Sequence, residues 1–444
     1  MLNSKNMREE VYKGKITTAQ EAARLVKPGD RVYVGTASSF AYELLDALWD
    51  RRAELEDVAI LCSMSVRPSR MFSTDHDEHN PFHVETFFLG AQERLAHRKH
   101  GMPLEFTCFH LSQVDIWCRH VGKPDVCFFQ VSRPDENDMV SCGPSGGSMF
   151  TYLAENARNI VFECNAQVPY IVNGEKHLLP LSMADALVFA DYPVSPLAKD
   201  EVDEISQRIS DLVMEEVPDG STIQLGLGKI STAIGYGLLK KNDLGIFSEL
   251  FSEPMMELMK NGNVTNREKG FMDGLSVFAF SLGSNEMYDF MDHNPDLYSG
   301  TFPFVNDPRN IAKNRQMMSI NTAMSVDLFG QVAADSMGWS QQSAVGGQID
   351  FVKGAQWSRG GKSIIALASS FEKDGQRQSK ICLNFPAGTA VTTPRSEVQY
   401  IATEYGCINL KKLNMSDRVR AMISLAHPDF REQLRDEAKS HGLL

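Results

Sequence analysis

The sequence predicts an α/β protein made of two similar open α/β units, each built around a mainly parallel sheet. Three observations carry that reading: a glycine-marked segment that occurs twice, the same β-α-β order after each occurrence, and a length of 444 residues, too long for one ordinary core. The first occurrence is "KPGDRVYVGTA" with Gly29 and Gly35, the second "PDGSTIQLGLG" with Gly220 and Gly226. Both pairs are 191 residues apart (220 − 29, 226 − 35).

In chain order, Thr18-Ala-Gln-Glu21 has the form of a capping box opening an amphipathic helix through Val26, which Pro28-Gly29 stops. "RVYVG" follows as a strand, "AYELLDALWDR" as a helix and "DVAILCS" as a second strand. In the later copy "EISQRISDLVMEEV" has helical spacing and stops at Pro218-Asp219-Gly220. "STIQLG", "STAIGYGLLKK" and "DLGIFSE" then repeat strand, helix and strand, the order of a parallel β-α-β unit. Pro193 and Pro196 in "DYPVSPLAKDEVD" break both periodicities, so domains of 1–198 and 199–444 are expected. Near the C-terminus "SDRVRAMISLA" and "PDFREQLRDEAKSHG" read as helices, the second with Pro428 in its first turn and Gly442 as its stop.

Composition narrows the function. A formal charge of −13 argues against a nucleic-acid surface, which needs a concentrated basic face. The opening "MLNSKNMREEVYKGK" lacks an apolar leader core, and no run of about 18 apolar residues occurs, which predicts a cytoplasmic protein away from the membrane. Eight cysteines without C-x-x-C spacing read as reduced core residues.

The apolar run "LGIFSEL" breaks on Glu249, where a strand through Leu244, Ile246 and Phe247 is expected to end. Setting the two copies side by side puts Ser63 opposite Glu249, so related halves would carry an asymmetric site between them. The loop Gln224-Leu225-Gly226-Leu227-Gly228 lies between a strand and a helix, where backbone N–H groups can face a phosphate or an oxyanion. Its spacing, Gly226-x-Gly228-x-x-Ser231, nears the dinucleotide fingerprint, and Glu249 lies where an acid would hold a ribose, which keeps a nicotinamide-dependent dehydrogenase open. Small residues packing helix on strand would explain the loop equally. "AVGGQID", patterned as strand and turn, offers the amides of Gly346 and Gly347 to an oxyanion, or is a plain turn. His76, His79 and His83 in "STDHDEHNPFH" fit no defined metal spacing and read as a solvated loop, so no metal is expected.

The blocks "GDRVYVG", "IQLGLGKISTAI", "LGIFSEL", "SVDLFGQV", "VGGQIDFVKGA", "GGKSIIAL", "VTTPRSEVQYIATEYG" and "ISLAHPDFREQL", in that order, resemble the acetyl-CoA hydrolase/transferase branch of the family I CoA-transferases, near its 4-hydroxybutyrate and butyryl-CoA:acetate members. The likeness covers nearly the whole chain. It implies two similar open α/β domains with the site at their interface, and Glu249 as a nucleophile that becomes a glutamyl-CoA thioester. It also implies that Gln224 to Gly228, Asn306, Met324, Gly346, Gly347 and Lys373 lie along bound coenzyme A. Coenzyme A is then a co-substrate and no prosthetic group is needed. The implied substrates are acyl-CoA and small carboxylates, and the implied assembly is a homodimer or homotetramer. Acyl-CoA hydrolysis on the same residues is the nearest alternative.

Overall fold

The computed structural model describes residues 12–77, 79–197 and 201–444. Glu78 of the histidine loop and the expected boundary at 198 lie outside the described residues. The chain divides into two units, one of Met1–Ala198 and Val277–Phe304, the other of Lys199–Ser276 and Val305–Leu444. Val277–Phe304 groups with the first unit although it lies within the expected second domain.

The first unit opens with helix α1 (Ala19–Ala23), where the Thr18 hydroxyl accepts the Glu21 N–H at 3.2 Å. This helix ends three residues short of Val26, and the Glu21 carboxylate turns toward Arg24, 3.5 Å away. Strand β1 (Arg31–Thr36), helix α2 (Tyr42–Asp50) and strand β2 (Val58–Ser63) follow as expected. With β3 (Phe82–Thr86), β4 (Leu104–Phe106), β5 (Val126–Val131), β6 (Asn159–Asn165) and β7 (Ala186–Ala190) they form a sheet ordered β4-β3-β2-β1-β5-β6-β7, parallel throughout. Val32, Ile60, Val84, Val126 and Phe128 meet Leu44 and Leu48 of α2 in one buried cluster. Such apolar runs are what a sheet covered on its faces by crossover helices requires.

The second unit repeats the plan. Helix α3 (Glu204–Met214), capped by the Asp203 side chain on the Ser206 N–H, leads through Gly220 into strand β8 (Thr222–Leu225), helix α4 (Lys229–Gly237) and strand β9 (Gly245–Phe251). Gly29 and Gly220 share a left-handed turn, φ +79° and +73°, which only glycine adopts freely. The repeated glycine is therefore a repeated backbone requirement. Strand β10 (Met317–Thr322), helix α5 (Gln348–Trp357), and strands β11 (Lys362–Ala366), β12 (Tyr400–Thr403) and β13 (Gly406–Asn409) complete a sheet segment ordered β9-β8-β10-β11-β12-β13. Only the last pair is antiparallel. Helices α6 (Met415–Leu425) and α7 (Pro428–Ser440) close the chain. Val419 and Met422 of α6 pack with Ile349 and Val352 of α5 and with Ile365 and Ile401 of the sheet.

Two local expectations give way. Strand β9 continues two residues past Glu249 to Phe251. The segment after Gly347, read as strand and turn, is helix α5, buried at Ile349, Asp350, Phe351, Val352, Gly354 and Ala355. A helix buried on most sides loses the polar face that marks helical period.

Candidate active site

Along β9 the side chains of 247, 249 and 251 share one face. Phe247 and Phe251 are fully buried, whereas Glu249 keeps partial exposure. Its Oε2 accepts a hydrogen bond from Asn306 Nδ2 at 2.6 Å, and the carboxylate accepts another from the Gly347 backbone N–H. Burial raises the Glu249 pKa to about 7, and the two donors pull against that rise. Near neutral pH the ionised form is thus well populated, and it is the form that two charge-assisted hydrogen bonds hold.

Each partner is there for a local reason. Asn306 is fully buried and immediately precedes a turn, Pro308–Ile311, in which the Asp307 side chain accepts the Arg309 N–H. Its Oδ1 has no hydrogen-bond partner among the described residues, so the carboxylate alone dictates that the amide nitrogen faces Glu249. Gly346 and Gly347 do different work. Gly346 takes φ +57°, the left-handed region, to turn the chain into α5. Gly347, at the N-cap of α5, leaves room: a Cβ there would lie 2.0 Å from both Glu249 Oε2 and Asn306 Nδ2. The carboxylate thereby sits against the positive end of a helix of 10 residues, which favours its charge.

Beside it, the order of strand addition reverses between the parallel strands β8 and β10, with β9 on one side of β8 and β10 on the other, and ligands of open α/β sheets bind at the carboxyl ends of strands at such a switch point. The Gln224 to Gly228 loop leaves β8 at this point. The Gly226 N–H is taken by the Ile320 carbonyl at 2.8 Å, which leaves Leu227 and Gly228 as the loop's amide candidates. Leu227 is 51% exposed, and Gly228, at φ +110° and ψ 171°, starts α4 in a conformation closed to other residues. Gln224 does not extend into solvent: its carboxamide pairs with Asn321, donating to Oδ1 and accepting from Nδ2, both at 3.1 Å.

The sequence-derived residues fall into three places. Glu249, Asn306 and Gly347 form one hydrogen-bonded set. Gln224, Leu225, Gly226, Leu227 and Gly228 sit at the adjoining strand end. Met324 and Lys373 take no part in the Glu249 hydrogen bonds: the Met324 N–H goes to the Ala333 carbonyl at 2.9 Å, and Lys373 is exposed on the hairpin of Ser370–Lys373 and Gln376–Ser379. Asn321, which sequence reasoning passed over, was marked by one signal, the polar Ser319-x-Asn321 spacing inside an otherwise apolar strand. Asp75 of the histidine loop lies 2.6 Å from Nδ1 of His100, at the end of the helix Ala91–His100, and His83 Nδ1 lies 3.6 Å from Asp57. Among the described residues no group of three or more His, Cys, Asp or Glu is arranged to hold a metal ion, and no helix is long and apolar enough to cross a membrane.

Comparison with known proteins adds a second line of evidence. Residues 1–199 match the acetyl-CoA hydrolase/transferase N-terminal domain and residues 283–438 its C-terminal domain. The chain is 34% identical to the 4-hydroxybutyrate coenzyme A transferase of Clostridium kluyveri over 97% of this chain and 99% of that protein. It is 31% identical to the butyryl-CoA:acetate CoA-transferase of Anaerostipes caccae over 97% of each. The crystal structure of RipA from Yersinia pestis superposes with a TM-score of 0.89 at 30% identity, covering 98% of this chain and 99% of that one.

Proposed function

The chain belongs to the acetyl-CoA hydrolase/transferase family, and from that premise we propose that it moves coenzyme A between a short-chain acyl-CoA and a free carboxylate, with Glu249 as the nucleophile. The observation that carries this is the Glu249 carboxylate, partly exposed and gripped by Asn306 Nδ2 and the Gly347 N–H, in a chain whose full-length relatives named above are CoA-transferases.

A carboxylate oxygen of Glu249 attacks the thioester carbon, forming a C–O bond as the C–S bond breaks, to give an acyl-glutamyl anhydride and CoA thiolate. The thiolate then attacks the glutamyl carbon and expels the first carboxylate, leaving a glutamyl-CoA thioester. An incoming carboxylate runs the steps in reverse, so the thioester bond is conserved without metal or nucleotide. Each attack develops an oxyanion. The Gly347 N–H, already on Glu249, is the donor for the glutamyl oxyanion, and the Leu227 and Gly228 amides are the candidates for the acyl one. One such donor is worth about 3 kcal/mol.

Coenzyme A is here a co-substrate, and the acceptors are small carboxylates of the acetate, butyrate, 4-hydroxybutyrate or short dicarboxylate class. We assign the work to a homo-oligomer in the cytoplasm. Hydrolysis on the same residues is the competing outcome, since water reaching either intermediate converts transfer into cleavage. Initial rates measured against both an acyl-CoA and a carboxylate acceptor test the proposal. Parallel double-reciprocal lines are expected. Steady CoA release that no acceptor alters would replace the transferase with a hydrolase.

A further inference from the structure

We infer that Asn321 is a positioning residue of this reaction: paired with Gln224, it sets the Gly226 to Gly228 loop and ties it to the turn that carries Gly347. The inference rests on the assignment of Glu249 above.

Strands β8 and β10 run in parallel register with Gln224 opposite Ser319 and Leu225 opposite Ile320. Side chains alternate between faces, so Gln224, Ser319 and Asn321 come to one face and Gly226 comes beside Asn321. On that face the polar groups close on one another. The Gln224 and Asn321 carboxamides exchange hydrogen bonds, the Ser319 hydroxyl donates to Gln224 Oε1 at 2.9 Å, and Asn321 Nδ2 donates to Ser319 Oγ at 3.0 Å. All three residues are buried. A buried network of this kind is rigid when every member is satisfied and poorly tolerant of one loss.

The end of β10 touches both glycine loops, one through the Asn321 side chain and the other through the Thr322 backbone. A Cβ on Gly226 would lie 3.1 Å from Asn321 Oδ1, so the carboxamide leans into the space that glycine leaves and fixes where the loop departs from β8. On the other side, the next residue, Thr322, accepts a hydrogen bond through its carbonyl from Gln348 Nε2 at 3.4 Å. Gln348 directly follows Gly347, whose N–H holds Glu249. The end of β10 therefore spans the distance between the two amide-bearing segments, and Asn321 is its anchor. Truncating Asn321 leaves Gln224 Nε2 without this acceptor and frees both loops to shift. Attack geometry is sensitive to shifts of about 1 Å.

The test is the single-turnover rate at which Glu249 becomes a thioester of CoA at saturating acyl-CoA, read as the side chain that borohydride reduces to the alcohol with release of CoA. It is run on the full-length wild type, Asn321→Ala, Gln224→Ala and the double variant, with KM and thermal midpoints recorded. Asn321→Ala is expected to slow attachment by about tenfold or more while KM for acyl-CoA changes by less than about threefold. The double variant is expected to be no slower than the slower single, because the two residues act as one unit. A structural role alone would lower the thermal midpoint and leave attachment in the folded fraction at the wild-type rate, which overturns the inference, as would two slowings that multiply. Should Asn321→Ala fail to fold, Asn321→Ser, which keeps a hydroxyl donor, is read in the same way. A wild type that never attaches CoA to Glu249 overturns the nucleophile assignment and this inference with it. A wild type that does, beside an equally fast Asn321→Ala, overturns this inference alone.

Discussion

Glu163 in the first unit and Glu249 in the second are both strand residues whose pKa burial raises, to about 8 and about 7, yet their surroundings differ in kind. Glu163 is fully buried. Its Oε2 accepts the Leu44 N–H at 2.9 Å, in the first turn of α2, and its Oε1 accepts the Tyr192 hydroxyl. Both oxygens are thus spent on structure, and the helix start that follows β1 is stoppered by the chain's own carboxylate. In the second unit the helix after β8 begins instead at Gly228 beside the exposed Leu227, and Glu249 keeps partial exposure with Asn306 Nδ2 on Oε2 and the Gly347 N–H on the same carboxylate. At the place matching Glu249, the first unit has Ser63, fully buried and 3.4 Å from Thr36 Oγ1. A raised carboxylate pKa therefore marks desolvation in either unit. Access together with convergent donors separates the reactive group from the structural one.

Four measurements test that contrast. The largest effect is expected from Gly347→Ala, whose Cβ would meet Glu249 Oε2 and Asn306 Nδ2 at 2.0 Å. Turnover should fall by about 10²–10³-fold with the circular-dichroism spectrum unchanged; normal turnover would show that the close approach Gly347 permits between its amide, Asn306 and Glu249 is not needed. Next, Asn306→Ala removes the side-chain donor that lowers the Glu249 pKa. It should reduce kcat by about 10–100-fold, as loss of a hydrogen bond to a charged group does, and move the pH midpoint of kcat upward. An unchanged midpoint would mean that the bond does not tune the nucleophile. The wild type itself should gain activity as pH climbs through about 7, because the attacking species is the ionised carboxylate. A flat profile between pH 5.5 and 8.5 would argue against rate-limiting attack by Glu249.

The smallest effect on turnover belongs to Glu163→Gln, which cannot ionise. Its amide oxygen can still accept the Leu44 N–H, while its amide nitrogen can only donate, so the Tyr192 hydroxyl turns to the Phe40 carbonyl, 3.3 Å away. Here kcat should stay within about twofold. Stability carries the signal. With its pKa raised from 4.5 in the unfolded chain to about 8 in the fold, Glu163 binds more protons folded than unfolded. Its stabilisation is complete below about 4.5 and is lost as pH rises through about 8. Urea midpoints at pH 5 and pH 9 should fall further in the wild type than in the variant, and equal falls would show that Glu163 is not held protonated.

Much of this contrast was legible in the chain. Gly29 and Gly220 announced a repeated turn, the strand-helix-strand order was read in both copies, and the opposition of Ser63 to Glu249 was visible by alignment alone. Other features were not, for physical reasons. Gly35 and Gly226 align but serve different ends: a Cβ on Gly35 would strike Phe40 at 2.4 Å, whereas Gly226 makes room for Asn321. Helix α5 hid because burial on most sides removed its periodicity. Asn321 hid because a polar residue in a short strand has meaning only once its cross-strand partner is known. The grouping of Val277–Phe304 with the first unit is set by long-range contacts that no local pattern records.

The account stands or falls most directly on the mass of the peptide that contains Glu249, taken from wild-type protein incubated with acyl-CoA and no acceptor. That peptide is expected to gain coenzyme A less one water, to lose it on addition of acetate, and to stay unmodified in Glu249→Ala, which should also be inactive. A modification carried by any other residue, or acyl transfer that persists in Glu249→Ala, would contradict it.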